Sequence, residues 1–156
     1  MRIDEFVGYF RMAKDKKAEC DKRITKKYIP FITKITNCER VVKATTVLKK
    51  NQDDIGVYHQ NTPARYLIFN MTLLQLYTDI EINDDTLYDN YDKLNEIGAL
   101  DVLLSCIPEH EFKEFSTLLS MTMDDFLANE RDLTAYLDRK MEDLAKLAEQ
   151  EVVNNG

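Results

Sequence analysis

The chain has 156 residues, 44% of them apolar and 31% charged, enough to bury roughly two thirds of its unfolded surface without a metal or disulfide staple. Four glycines and three prolines argue against a turn-rich β architecture, and no run approaches the roughly 18 apolar residues of a membrane span. The net charge of −7 is unevenly placed: residues 1–50 hold 14 Lys and Arg against 6 Asp and Glu, a net of +8, and residues 51–156 hold 7 against 22, a net of −15.

In chain order, Ile3, Phe6, Val7 and Phe10 recur at helical spacing and predict a first helix over about 2–19. From Lys14 to Lys27 the apolar stripe is lost, so the segment reads as a polar extension or a linker. Pro30 suits a helix start, and the spacing predicts a helix over about 30–44 with Ile32, Ile35, Cys38 and Val42 inward. Between 45 and 59, β-branched residues flank the polar stretch Lys49–Asp54, which fits a small β-hairpin or a plain exposed loop. Thr62-Pro63 marks the next start, a hydroxyl N-cap before proline. The helix that follows is apolar nearly all round and is expected to be the buried centre. Asp79 to Ile82 alternate as a short strand or extended linker would.

Asn83 and Asp84 are N-cap candidates for a helix with Leu87, Tyr91, Leu94 and Ile97 as its stripe, closed by Gly98 in a left-handed C-cap. A short helix carries Leu100, Leu103, Leu104 and Ile107. Pro108 opens another, with Glu109 and Glu111 as solvated acids in its first turn and Phe112, Phe115, Leu118 and Leu119 as its core face. Thr122 with Asp125 resembles a capping box before a last run bearing Phe126, Leu127, Leu133, Tyr136, Leu137, Met141, Leu144 and Ala148. The expectation is an all-α single-domain bundle of about five to seven helices, with room for a small β-hairpin near 45–59. Residues 1–28 form a basic N-terminal helix or arm and 29–153 the helical core.

Little in the pattern carries chemistry. Cys20, Cys38 and Cys106 contain no CxxC pair and read as free thiols. Around His110, a Glu-x-x-His pair for a di-iron site is missing. The stretch Asp79 to Asn90 lacks the Gly and Glu of a calcium loop. No glycine-rich phosphate loop, GxSxG or HExxH occurs, and adjacent acids such as Asp84-Asp85 do not face each other on a helix. The expectation is therefore no enzyme, metal or cofactor. The charged feature that remains is the run Lys14, Lys16, Lys17, Lys22, Arg23, Lys26 and Lys27, with Tyr28 beside it. Its charge would suit a phosphate backbone, but Asp15, Glu19 and Asp21 interrupt it and the remaining chain is strongly acidic. A protein partner, or a second copy of the chain, fits better than nucleic acid.

The stretches Asn61-Thr62-Pro63-Ala64-Arg65-Tyr66, Leu76-Tyr77-Thr78-Asp79-Ile80-Glu81-Ile82, Tyr91-Asp92-Lys93-Leu94 and Asn129-Glu130-Arg131-Asp132-Leu133 give the chain a familiar pattern. Over about residues 26–150 it resembles small helical proteins of phages and prophages of Gram-positive bacteria. The resemblance implies a virion component or assembly factor, in the cytoplasm of a bacterial host or in the virion, and carries over no functional residue. Two other readings stand beside it: an inhibitor of a host nucleic-acid-handling or defence protein, acting through its acidic surface, and a nucleic-acid-binding regulator using the basic arm.

Overall fold

The computed structural model describes residues 1–50 and 56–155, with side chains at 1–47, 58–129 and 137–154. The fold is all-α with one small antiparallel hairpin. In chain order it comprises α1 (Ile3–Met12), α2 (Lys16–Asp21), α3 (Phe31–Thr45), β1 (Thr46–Lys50), β2 (Gly56–Gln60), α4 (Thr62–Tyr77), a single 3-10 turn (Asp84–Thr86), α5 (Leu87–Glu96), α6 (Ala99–Cys106) and α7 (Glu109–Asn155). The chain divides into two units, Met1–Ser120 and Met121–Gly156.

Helix α4 is the centre of the first unit because its apolar residues leave on two sides. Met71 and Leu74 join Phe6, Phe10, Cys20, Leu94, Leu100 and Leu103 in one cluster. Phe69, Leu73 and Tyr77 join Ile29, Cys38, Val41, Ile107 and Phe115 in the other. This double duty explains why α4 lacks a broad polar stripe. Its start is set one residue earlier than the Thr62 expected: the Asn61 side chain accepts from Ala64 N at 3.1 Å, which leaves Pro63 in the first turn. Gly98 sits at φ +70, the left-handed conformation in which glycine meets no Cβ penalty, and separates α5 from α6. The hairpin pairs Thr46 with Gln60 and Lys50 with Gly56; residues 51–55, the centre of the expected turn, lie outside the described residues.

Five expectations are corrected. The first helix stops at Met12: Ala13 is extended and Asp15, accepting from Ala18 N at 3.0 Å, caps the separate α2. Residues 1–28 belong with the helices that follow to one unit, Met1–Ser120. Phe6 and Cys20 have no exposed surface, and the segment is laced to the extended stretch after α4, Thr25 N donating to Tyr77 O and Asp79 N to Arg23 O at 2.9 and 3.0 Å. In α3 the inward line runs through Cys38, Val41 and Thr45, so the residue four before Cys38, Lys34, is buried, while Ile32 is 72% exposed. Glu111, expected among solvated acids, is buried as well. Finally, Thr122 and Asp125 cap nothing, because α7 runs through them. Leu137, Met141 and Leu144, expected in the core, are more than half exposed; the side chains of Leu133 and Tyr136 lie outside the described set.

Leu73 and Leu74 have no exposed surface and serve different clusters. Truncating either to Ala removes about 2–5 kcal/mol of stability, and denaturant titration of the two single variants checks this. Unchanged midpoints in both would mean that α4 is not the centre of the fold.

Candidate interaction site

The seven basic residues do not form one surface. Lys16 turns back on α1, donating to the carbonyls of Phe10 and Arg11 with its ammonium 5.0 Å from the Phe10 ring centre. It thus satisfies carbonyls that a helix C-terminus leaves open. Arg23 donates to Asp79 Oδ2 at 3.1 Å and pins α2 to the segment after α4. Lys22 pairs with Glu19 at 3.2 Å within one turn of exposed helix. Lys14, Lys17, Lys26 and Lys27 are exposed, and among the described residues none of these four makes an ion pair. The last two lead straight into exposed apolar side chains: Tyr28 is 63%, Phe31 51% and Ile32 72% exposed.

What holds that stretch in place lies beneath it. Lys34 Nζ donates to Glu111 Oε1 at 2.9 Å and to Glu114 Oε2 at 3.0 Å. The side chains of Lys34 and Glu111 are each only 1% exposed, whereas Glu114 opens to solvent. The other Glu111 oxygen accepts from Tyr77 Oη at 2.6 Å and from the backbone N–H of Ile29 at 3.0 Å. Three elements converge here: α3 brings the cation, the first turn of α7 the carboxylate and the last turn of α4 the phenol. The Ile29 bond fixes the backbone between Lys27 and Pro30, and the Tyr28 ring lies 5.2 Å from Lys34 Nζ, within the range of a cation–π contact. The exposed segment 26–32 is therefore seated on a buried ionic network.

The electrostatics follow from this geometry. Burial would push the Glu111 carboxyl up, but the bonds from Tyr77, Lys34 and Ile29 outweigh it and hold the carboxyl below its ordinary value. Burial would likewise push Lys34 down, but its bonds to Glu111 and Glu114 hold it above. Burial, aided by the charge of Glu111, raises Tyr77. A lowered acid stabilises the fold above its unfolded pKa and loses that contribution as pH falls through the folded value. A raised base stabilises it below its unfolded pKa and loses the contribution as pH rises through the folded value. The network is fully stabilising between these limits, which include neutral pH.

Burial pushes the thiol of Cys20 up to about 12 and those of Cys38 and Cys106 up to about 11, so none supplies thiolate near neutral pH. The groove lined by Leu104, Ile107 and Phe112 has Glu109 and Lys113 on its rim, and these are bonded to each other at 2.7 Å. No protein-family model, curated protein or solved structure matches the chain.

The sequence reading missed Lys34 and Glu111, yet each had a signal. Lys34 lies on the 34–38–41–45 line of α3 and Glu111 on the 111–115–118 line of α7, where the neighbouring positions are mostly apolar.

Removing one partner of a buried ion pair typically costs about 3–5 kcal/mol, because the other charge is stranded. Lys34→Met and Glu111→Leu are each expected to lose about that much in denaturant titration. The double variant recovers only part of the loss, because Tyr77 Oη and Ile29 N are then left without their acceptor. Full recovery would show that those two bonds add nothing. Glu111→Gln should also weaken the fall in stability that the wild type shows as pH drops below the glutamate range, measured as unfolding midpoint against pH.

Proposed function

We propose that this chain acts by non-catalytic protein–protein contact, through the surface formed by Lys26, Lys27, Tyr28, Phe31 and Ile32. The observation that carries this reading is the exposure, within seven consecutive residues, of three large apolar side chains and two cations that make no ion pair among the described residues, on backbone anchored to Glu111. Exposed apolar groups bordered by charge mark contact surfaces, and a fixed backbone lowers the ordering cost of binding. The matching partner is a protein with an apolar pocket and an acidic rim, which the two lysines would steer and orient. Phage assembly, the setting implied by the resemblance, is the context we propose for it.

Reversing Lys16 or Arg23 would disturb the fold itself, whereas Lys26 and Lys27 can be reversed on the surface. A photoreactive side chain at Phe31, introduced in cells that make the protein, should give one discrete protein adduct. Lys26→Glu with Lys27→Glu should abolish that adduct without changing the helical spectrum or the unfolding midpoint. Failure to form an adduct, or an adduct removed by nuclease, would overturn the reading. The nuclease result, with salt-dependent duplex binding lost in the variant, would make the chain a nucleic-acid regulator. For the phage context the measurement is copy number in purified particles, expected to be fixed for a virion component and zero for an inhibitor or regulator.

A further inference from the structure

Two of the three cysteines meet where α2 packs on α6. Cys20 has no exposed surface and belongs to the cluster of Phe6, Leu74 and Leu103; Cys106 is partly buried and packs against the same cluster. The Cys106 thiol lies 4.0 Å from the carbonyl oxygen of Lys17. In a helix that oxygen points along the axis toward the next turn, so it sits beside the side chains three and four residues on. Those side chains are Cys20 and Asp21. Both leave a mark on the electrostatics. After burial, the charge of Cys106 is what most raises the Cys20 thiol, and after burial, the Asp21 carboxylate is what most raises Cys106. Cys38 takes no part: it belongs to the other cluster, with its thiol 3.9 Å from the Phe115 carbonyl.

The pairing has a chemical direction. Cys106 is the thiol that solvent can reach, whereas Cys20 is sealed in the core. A small disulfide therefore meets Cys106 first. The Cys106 sulfur bonds to one sulfur of the reagent, the reagent's S–S bond breaks, and one reagent thiol leaves. The Cys20 sulfur then displaces the second reagent thiol from Cys106. Two protein thiols are oxidised, one reagent disulfide is reduced to two thiols, and the two protein thiol protons end on them. We infer that Cys20 and Cys106 form a reversible disulfide within one chain, which fastens α2 to α6 when the protein meets an oxidising small-molecule disulfide. Raised thiols exchange slowly, so the reduced form persists wherever thiols are maintained. The bond closes a loop that takes in most of the first unit, and a cross-link over a long loop restricts the unfolded chain strongly. Oxidation thus makes the fold more stable.

The test is treatment of the folded full chain with oxidised glutathione at mildly alkaline pH, followed by alkylation, proteolysis and mass mapping. Cys38 alone is expected to remain open to alkylation, with Cys20 and Cys106 recovered in one cross-linked peptide pair. The denaturation midpoint should rise on oxidation and return when dithiothreitol is added. Cys106→Ser should keep the helical spectrum while its midpoint no longer responds to the oxidant, and Cys38→Ala should respond as the wild type does. A glutathione adduct that stays on Cys106 would overturn the inference, as would a cross-link through Cys38 or between chains, or an oxidised form no more stable than the reduced one. Mapping of the unaltered chain decides the matter even where a variant does not fold. Lys26→Glu with Lys27→Glu leaves the oxidation unchanged, so this inference and the surface at 26–32 succeed or fail separately.

Discussion

A carboxylate with 1% of its side chain exposed must find its hydrogen bonds inside the protein, and Glu111 finds three: from a lysine, a phenol and a backbone amide. Desolvating Lys34 and Glu111 is costly, and a buried pair often does no better than two apolar side chains of similar volume. What the network adds is placement. An apolar contact tolerates small slips, whereas an ammonium bonded to two carboxylates and a carboxylate bonded to three donors fix where α3, α4 and the start of α7 meet. The same carboxylate oxygen that takes the Tyr77 proton donor takes the Ile29 amide, so the path of the chain entering α3 is set by the same constraint.

The rest of the first unit is arranged around α4 in a way that makes this meeting point possible. Its last residue, Tyr77, belongs by its ring to the cluster of Leu73 and Phe115 and by its hydroxyl to Glu111. Just beyond it the chain is extended, and the N-terminal segment is stitched there through Thr25, Arg23 and Asp79. Basic residues that look alike in sequence thus divide by role. Lys16 and Arg23 are spent on internal bonds, while Lys26 and Lys27 are exposed and make no ion pair among the described residues. The backbone beneath this surface of mixed charge and apolar character is fixed from within, by the bond of the Ile29 amide to Glu111.

Much of the fold was legible from apolar spacing. The helices at 31–45, 62–77 and 87–96, the left-handed stop at Gly98, the proline before α7 and the small hairpin all follow from local patterns, since each depends on residues within a few positions. The failures share a cause. Ile32 and Lys34 exchange places relative to a hydrophobicity count because the inward line of α3 is set by Cys38, Val41 and Thr45, and a lysine on that line is acceptable only if a carboxylate arrives from far along the chain. Thr122 and Asp125 look like a helix start because capping residues also occur harmlessly on exposed helix surface. The basic run was visible as composition, but the carbonyls of Phe10 and Arg11 reach Lys16 only because the chain breaks between α1 and α2, and the carboxylate of Asp79 reaches Arg23 only through the tertiary structure.

The distance along the chain between Lys34 and Glu111, 77 residues, gives the network a place in time as well as in space. Helices such as α4 and α5 can form from neighbouring residues within microseconds, but a bond spanning most of the first unit waits until the intervening chain is compact. Until then both charges remain hydrated and the amide of Ile29 has no carboxylate to meet. The seating of the stretch with Tyr28, Phe31 and Ile32 on Glu111 therefore depends on that compaction. A partner that recognises it would be selecting finished molecules, so recognition would double as a check on folding.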